Sequence, residues 1–397
     1  MIPVLWATQV YPRTSGDVMG AFLHRLAREL PRRGYAPVVV APGADGVPEE
    51  EVRDGVRIVR FRYAAEGKQT LAYTGELHRR ALRSPVRFAR WLRSFRRAVR
   101  SAAEEVRPAV MHAHWWVPSG WVCAPVAAAL GIPLALSVHG TDVRLIGSVP
   151  IARPVARRVF RRARLVLPVS RWLSQRIGDL AAGASTEILP MPADDGIFHP
   201  RTAGVGPGPQ RFAAVARLTA QKRIDVAVRA LARLRASGVE AVLEIAGDGP
   251  RRSALEELAG ELGVRDAVTF HGFLPPNDVA ELLGRSVALL VPSESEGYGL
   301  VVVEAALCGV PTLGVRSGAL EELVEPGASG LLVEPGDAHA LSAAMAHLAG
   351  DAELRRTMGL RARERARAST PAPVADRLAA LYARLGPPVL DAPGGPL

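Results

Sequence analysis

Residues 292–311, PSESEGYGLVVVEAALCGVP, constrain this chain more than any other stretch. The apolar run at 287–291 predicts a strand, and the apolar run that begins after the polar loop predicts a helix whose first turn is Gly299, Leu300, Val301 and Val302. Strand, loop and helix in that order is the repeating unit of an open parallel sheet. Gly297 and Gly299 let a ligand approach the backbone closely, and the N–H groups of a first helical turn have no acceptor inside the helix. An anion is the natural occupant of such a place.

Two carboxylates, Glu296 and Glu304, flank the turn with seven residues between them, one in the loop and one in the second turn of the helix. Ionised carboxylates only accept hydrogen bonds, and a vicinal diol offers two donors at matching spacing. A phosphate between two hydroxyl-bearing rings, as in a nucleotide sugar, fits this layout; a buried turn with two surface glutamates is the plainer alternative.

The segment resembles the Glu-x7-Glu motif of the retaining glycosyltransferases of family 4, which have the GT-B architecture. That resemblance implies an α/β fold of two Rossmann-like, doubly wound parallel-sheet domains facing across a cleft. It also implies that Glu296 meets the donor sugar, that Glu304 meets the ribose, and that Gly297, Tyr298, Gly299, Leu300 and Val301 lie along the donor.

Composition sets bounds on this reading. The 397 residues suffice for two domains of ordinary size, and 48% apolar with only 5% aromatic residues suits an α/β protein. Cys123 and Cys308 both lie in apolar surroundings and read as core residues of a reducing compartment. The start of the chain lacks a signal pattern, and the apolar run 120–138 is divided by Pro125, Gly131 and Pro133 into a buried helix, a turn and a strand. The expected location is the cytoplasm, with a peripheral position on the inner face of the cell membrane as the variant. The formal charge is +11, and Lys68 and Lys222 are the only lysines, so each lysine stands out from an arginine background.

Along the first domain, expected over residues 1–200, a strand at 2–7 precedes a loop at 8–19, a helix at 20–33 and a strand at 36–40. The loop sits at the carboxyl edge of the sheet, where such sheets bind ligands. In family 4 that loop carries adjacent glycines; here only Gly16 and Gly20 match, and the resemblance places them on the acceptor side. Residues 77–107 hold ten arginines interleaved with apolar side chains. The stretch suits either a helix lying on an anionic membrane surface or a solvated helix with Trp91 and Phe95 in the core. The segments HAHW at 112–115 and SVHGTD at 137–142 also resemble family 4, which implies that His139 contacts the donor sugar and puts Asp142 on the acceptor side. His112 and His114 alternate on one strand without a third ligand, which argues against a metal pair. At 191–192 the chain has Met-Pro where the family has Asn-Gly, so contacts from that corner do not transfer.

Residues 201–210 read as a linker, 211–370 as the second domain and 371–385 as a helix returning to the first. The loop after the second domain's first strand carries Arg217 and Lys222, which match the family's diphosphate pair. Fixed cations there stabilise a leaving diphosphate more in the transition state than in the ground state. Glu322 keeps its place in a loop that has otherwise lost a Gly and a Pro of the family pattern. No Asp-x-Asp occurs in the sequence, so neutralisation by protein charge, with no metal and no cofactor, is the expected route.

The resemblance implies an EC 2.4 transfer, with retention, from a nucleotide-sugar donor to a glycan, glycolipid or small-molecule acceptor. His139, Glu296, Arg217 and Lys222 are the catalytic set. The competing readings are another GT-B activity such as a nucleotide-sugar epimerase, or a basic protein that binds nucleic acid or membrane without turnover. Absence of any nucleic-acid recognition motif weighs against the nucleic-acid partner.

Overall fold

Strand β1 (Ile2–Ala7) lies in the middle of the first sheet, and the chain winds away from it in both directions. The computed structural model describes the whole chain except residues 74–76, 78, 79, 81, 82, 149–151, 202–205, 207 and 387–397. On one side of β1 come β2 (Tyr35–Pro42), β4 (Val56–Phe61) and the antiparallel edge strand β3 (Glu50–Arg53). On the other side come β5 (Val110–His114), β6 (Leu134–Val138) and β7 (Leu165–Pro168). β5, β6 and β7 are buried along their whole length, as strands of a parallel sheet covered on both faces must be. The outer strand β3 alternates exposed and half-buried residues, the pattern of a charged edge.

The second sheet holds β8 (Gln210–Val215), β9 (Ala241–Ala246), β10 (Val268–Gly272), β11 (Ala288–Val291), β12 (Thr312–Val315) and β13 (Gly330–Val333) in the order β10-β9-β8-β11-β12-β13, all parallel. Winding reverses between β8 and β11. Ala288 pairs with Phe212 and Leu289 with Ala213, so the loops leaving the carboxyl ends of these two strands are neighbours.

The chain divides into a first compact unit, Met1–Pro190 together with the described residues from Pro371 onward, and a second, Met191–Thr370. The change of unit therefore falls ten residues before the expected linker at 201–210, half of which lies outside the described residues. Residues 191–200 go with the second unit: Ala193 N donates to Ser369 O at 2.9 Å, and the Arg201 side chain follows to reach Ile197 O at 3.2 Å. The helix Pro371–Leu385 is part of the first unit. Its Tyr382 hydroxyl accepts from Trp6 Nε1 at 2.8 Å and pairs with His112 Nδ1 at 2.6 Å.

Two local expectations change. The first helix is only Ala21–Ala27, because the chain tightens into a 3₁₀ turn at Pro31–Arg33, where proline has no N–H to continue an α-helix. The arginine-rich stretch forms the helix Pro85–Val106, with residues 78, 79, 81 and 82 outside the described set. Its apolar stripe, Trp91, Phe95 and Val99, is fully buried in the first unit's core, with Phe95 stacked on Phe61 at 4.8 Å between ring centroids. Each of these side chains contributes about 1.5–3 kcal/mol by leaving water. The stripe is thus committed to the core, and the arginines on the other face are exposed.

Candidate functional site

In the second unit, the reversal between β8 and β11 brings two loops together, and nearly every polar contact between them ties one to the other. After β8 the chain makes a 3₁₀ turn, Ala220–Lys222, and Arg223 takes a left-handed conformation at φ 47° before the helix Ile224–Ala236. After β11, Ser295 is also left-handed, at φ 55°. Non-glycine residues in that region cost about 1–3 kcal/mol each and persist where the surroundings over-determine them. Here Gln221 O accepts from Glu294 N at 3.0 Å, Gln221 Nε2 donates to Glu294 O at 3.0 Å, and Arg223 pairs with the Glu294 carboxylate. The result is that Lys222 Nζ stands 2.6 Å from Glu296 Oε2, both side chains being less than a quarter exposed.

The backbone of Glu296 is gripped from a third loop. Ala319 N donates to Glu296 O at 2.8 Å, and Ser317 Oγ accepts from Ser295 N at 2.8 Å. Between them Gly318, at φ 66°, lies so close that an added Cβ would stand 2.3 Å from Glu296 O. Sequence reasoning saw this loop only as a departure from a family pattern. Its grip on Glu296 is a contact between residues some twenty positions apart.

Gly299, at φ 87°, caps the helix Leu300–Leu307, and Glu304 lies half-buried in the second turn. Gly297, Tyr298 and Gly299 are buried, whereas Leu300 and Val301 are half-exposed at the mouth of the helix. The Tyr298 ring turns inward: its hydroxyl donates to Ser369 Oγ at 3.0 Å, and burial raises its pKa to about 12. Only the Tyr298 backbone is left to meet a ligand. Arg217 is exposed in the loop after β8. The next loop packs against that segment backbone to backbone, since a Cβ at Gly249 would fall 2.5 Å from Leu218 O.

In the first unit, the sheet reverses between β1 and β5. The loop after β1 is held by Arg60, whose Nη2 donates to Pro12 O at 2.7 Å, and by Arg53, which donates to Pro12 O and Arg13 O. Arg60 sits at an inward position in the alternation of β4, which is the signal that identifies it. Gly16 is exposed with open space around it, while Gly20 caps Ala21–Ala27 at φ 76°, where a Cβ would press on Val10 O at 3.1 Å.

His139 follows β6. The residue is partly exposed, yet both ring nitrogens are buried without a partner among the described residues, and burial lowers its pKa to about 3. Phe22 meets the ring edge-on at 5.2 Å, Trp115 tilts over it at 4.5 Å, and His114 stacks behind it at 5.6 Å. His114 likewise has both nitrogens buried and unpartnered, whereas His112 spends its second nitrogen on Ser137 Oγ at 2.8 Å. Neither arrangement is that of a metal pair.

Asp142 is 4% exposed and turned into its own backbone. It accepts from Gly140 N at 3.0 Å, His139 N at 3.3 Å and Trp116 N at 3.2 Å, and so shapes the turn that presents His139. Burial raises its pKa to about 6 against the pull of those hydrogen bonds.

Residues 199–365 match the model for "Glycosyl transferases group 1", and residues 19–193 match that for "Glycosyl transferase 4-like domain". The N-acetyl-alpha-D-glucosaminyl L-malate synthase of Bacillus anthracis is 30% identical over 266 residues, which are 64% of this chain and 69% of that one. The GDP-mannose-dependent alpha-(1-6)-phosphatidylinositol monomannoside mannosyltransferase of Mycolicibacterium smegmatis is 30% identical over 269 residues, covering 61% of this chain and 70% of that one. Among solved structures, sucrose-phosphate synthase from Thermosynechococcus elongatus superposes with a TM-score of 0.81 over 97% of this chain and 99% of that one, at 22% identity, a likeness of fold.

Proposed function

The chain belongs to the glycosyl transferases group 1, the retaining family 4 of GT-B fold, which moves sugars from nucleotide-sugar donors, and from that premise we propose how its own residues divide the work. The diphosphate of the donor lies between Arg217, Lys222 and the first-turn N–H groups of Leu300–Leu307. Glu296 takes the sugar hydroxyls and Glu304 takes the ribose diol, while in the first unit His139 keeps a neutral imidazole. The observation that carries this reading is the meeting of Lys222 and Glu296 at 2.6 Å beside a helix N-terminus at the reversal of the second sheet.

Chemically, the bond from the anomeric carbon to the diphosphate oxygen breaks with the electron pair leaving on the diphosphate. The growing charge is met by two fixed cations and by preorganised N–H groups. The acceptor hydroxyl then bonds to the same face of the anomeric carbon and gives its proton to the departing phosphate oxygen, so configuration is retained without a nucleophile from the protein. Glu296, paired with Lys222, is held for hydrogen bonding to the sugar in this scheme.

The acceptor is proposed to be a glycan, a glycolipid such as the phosphatidylinositol monomannoside named for the mycobacterial relative, or a small molecule such as the malate named for the Bacillus one. Two buried thiols, Cys123 and Cys308, support a reducing compartment, and the reaction is set in the cytoplasm. Among the described residues no helix is long and apolar enough to cross a membrane.

The test is thermal melting with UDP, GDP and ADP in turn, in chelator, for the wild type and Glu304→Ala. Ligand at a hundredfold over its dissociation constant adds about 2.7 kcal/mol. A midpoint raised by one nucleotide and not raised in the variant supports the assignment and names the base. No rise with any of the three overturns it.

A further inference from the structure

A groove of about 450 Å³ runs along the first unit between the helices Trp121–Ala129 and Ala152–Arg162, and its lining joins two kinds of surface that are normally kept apart. The first helix has no charged residue, yet it leaves Trp121 45% exposed. Of the six tryptophans, it is the only exposed one. Pro125 from the same helix, with Pro154 and Val155 from the second, continues the apolar floor. The second helix carries five arginines and no acid. Its inner face, Ala156, Val159 and Phe160, is buried in the core, which fixes Pro154, Arg158 and Arg162 as an outward row one turn apart along the groove. Among the described residues no carboxylate forms an ion pair with Arg158 or Arg162, so both guanidinium groups are open to an outside anion.

We propose that this groove docks the first unit onto an anionic phospholipid surface, with Trp121 at the level of the headgroups and Arg158 and Arg162 on the lipid phosphates. An aromatic ring with one apolar and one polar edge favours that boundary, and guanidinium groups bind phosphate oxygens in a fork. A protein partner would need hydrogen-bonding complements that the floor does not offer. The charge, by contrast, is of one sign and unpaired. Of the two alternatives for residues 77–107, the core-packed helix uses up its apolar stripe, whereas the apolar surface beside Arg158 and Arg162 is not used in the core.

The experiment is co-sedimentation of the full chain with sucrose-loaded vesicles of phosphatidylcholine alone and of phosphatidylcholine with three-tenths phosphatidylglycerol, at 0.1 M salt. The expected result is binding to the anionic vesicles only. Arg158→Ala with Arg162→Ala should weaken it about five-fold per arginine, and Trp121→Ser on the order of ten-fold. The same loss of charge in Arg229→Ala with Arg233→Ala, exposed one turn apart on Ile224–Ala236 of the second unit, should leave it unchanged. No sedimentation with anionic vesicles overturns the proposal. So does an equal loss in the control pair, or full binding by Trp121→Ser, since either would reduce the contact to diffuse charge. The nucleotide melting shift of each variant checks its folding and is independent of the vesicle result.

Discussion

The ammonium of Lys222 and the carboxylate of Glu296 neutralise each other at 2.6 Å, although one is assigned to the diphosphate of the donor and the other to its sugar. Each group is the stand-in for the other's ligand. A donor entering this place replaces one ion pair by two charge-assisted sets of hydrogen bonds, so the pair keeps both side chains ordered, at little desolvation cost, until a donor arrives.

Glu296→Gln therefore has opposite effects on binding and transfer. With its partner neutral, Lys222 is released to the diphosphate, and nucleoside diphosphate should bind on the order of ten-fold tighter, in line with the about 1.5–3 kcal/mol of a charged hydrogen bond. Transfer should fall on the order of a hundredfold, as for loss of one preorganised contact in the transition state. Calorimetric titration and initial rates measure the two effects. Tighter binding with undiminished transfer would remove Glu296 from the reacting sugar.

Gly318→Ala should damage the site without touching a ligand. The new Cβ would fall 2.3 Å from Glu296 O and 2.7 Å from Glu296 N, and the backbone at φ 66° disfavours any side chain. The expected loss is about 1–3 kcal/mol of stability in the second unit, with transfer lowered more than nucleotide affinity. Comparing kcat with the dissociation constant of the diphosphate separates a displaced Glu296 from a general loss of folding.

The strands and the turn at 297–299 were legible in the sequence because they depend on local pattern: apolar runs for buried parallel strands, glycine at the helix entry. Lys222 and Glu296 are singled out in the sequence by the family resemblance, and the pairing of β8 with β11 is what sets their two loops side by side. What the sequence hid is where side chains point once the loops fold. Asp142 reads as a polar residue at a ligand-binding edge, but it accepts from two backbone N–H groups of its own turn and from Trp116 N, twenty-six residues earlier in the chain. Tyr298 lies between two glycines of the site, yet its hydroxyl goes to Ser369, seventy-one residues away in the chain. The fate of residues 85–106 turned on Phe61, a stacking partner on a distant strand. The Gly- and Pro-rich composition of 201–210 marks a loop and does not say which compact unit holds residues 191–200.

Transfer in chelator should match transfer with added Mg²⁺ or Mn²⁺. The scheme meets the leaving charge with Arg217, Lys222 and helix N–H groups, and the sequence has no Asp-x-Asp for the metal route. Initial rates across a metal titration measure this, and a rate that needs the ion would transfer the role of the cations to a metal. In that event Lys222→Ala would cost little; on the present scheme it weakens diphosphate binding about ten-fold or more.

The buried histidines make the first unit sensitive to acid. Burial lowers the pKa of His112 and His139 from 6.5 to about 3, and that of His114 well below 6.5, so the folded unit keeps all three neutral at pH 5 while the unfolded chain protonates them. Their contribution to stability is complete above about pH 6.5 and is lost as pH falls toward the folded values. Asp142 opposes them: its pKa rises from 3.8 to about 6, so between those values the folded unit holds a proton that the unfolded chain has released. His24, also lowered by burial, acts in the same direction as these three, so the protons that the histidines take up on unfolding outnumber the one that Asp142 releases near pH 5. Stability of the first unit should therefore fall as pH drops through 5. All six tryptophans, from Trp6 to Trp172, lie in the first unit, so their fluorescence reports its unfolding alone. His114→Leu removes one of the titrating rings and also two buried nitrogens without partners among the described residues, so it should make the acid slope shallower and leave the unit at least as stable at pH 7. A slope unchanged in the variant would mean that His114 is protonated or solvated in the folded unit, and the dry stack of His112, His114 and His139 would have to be abandoned.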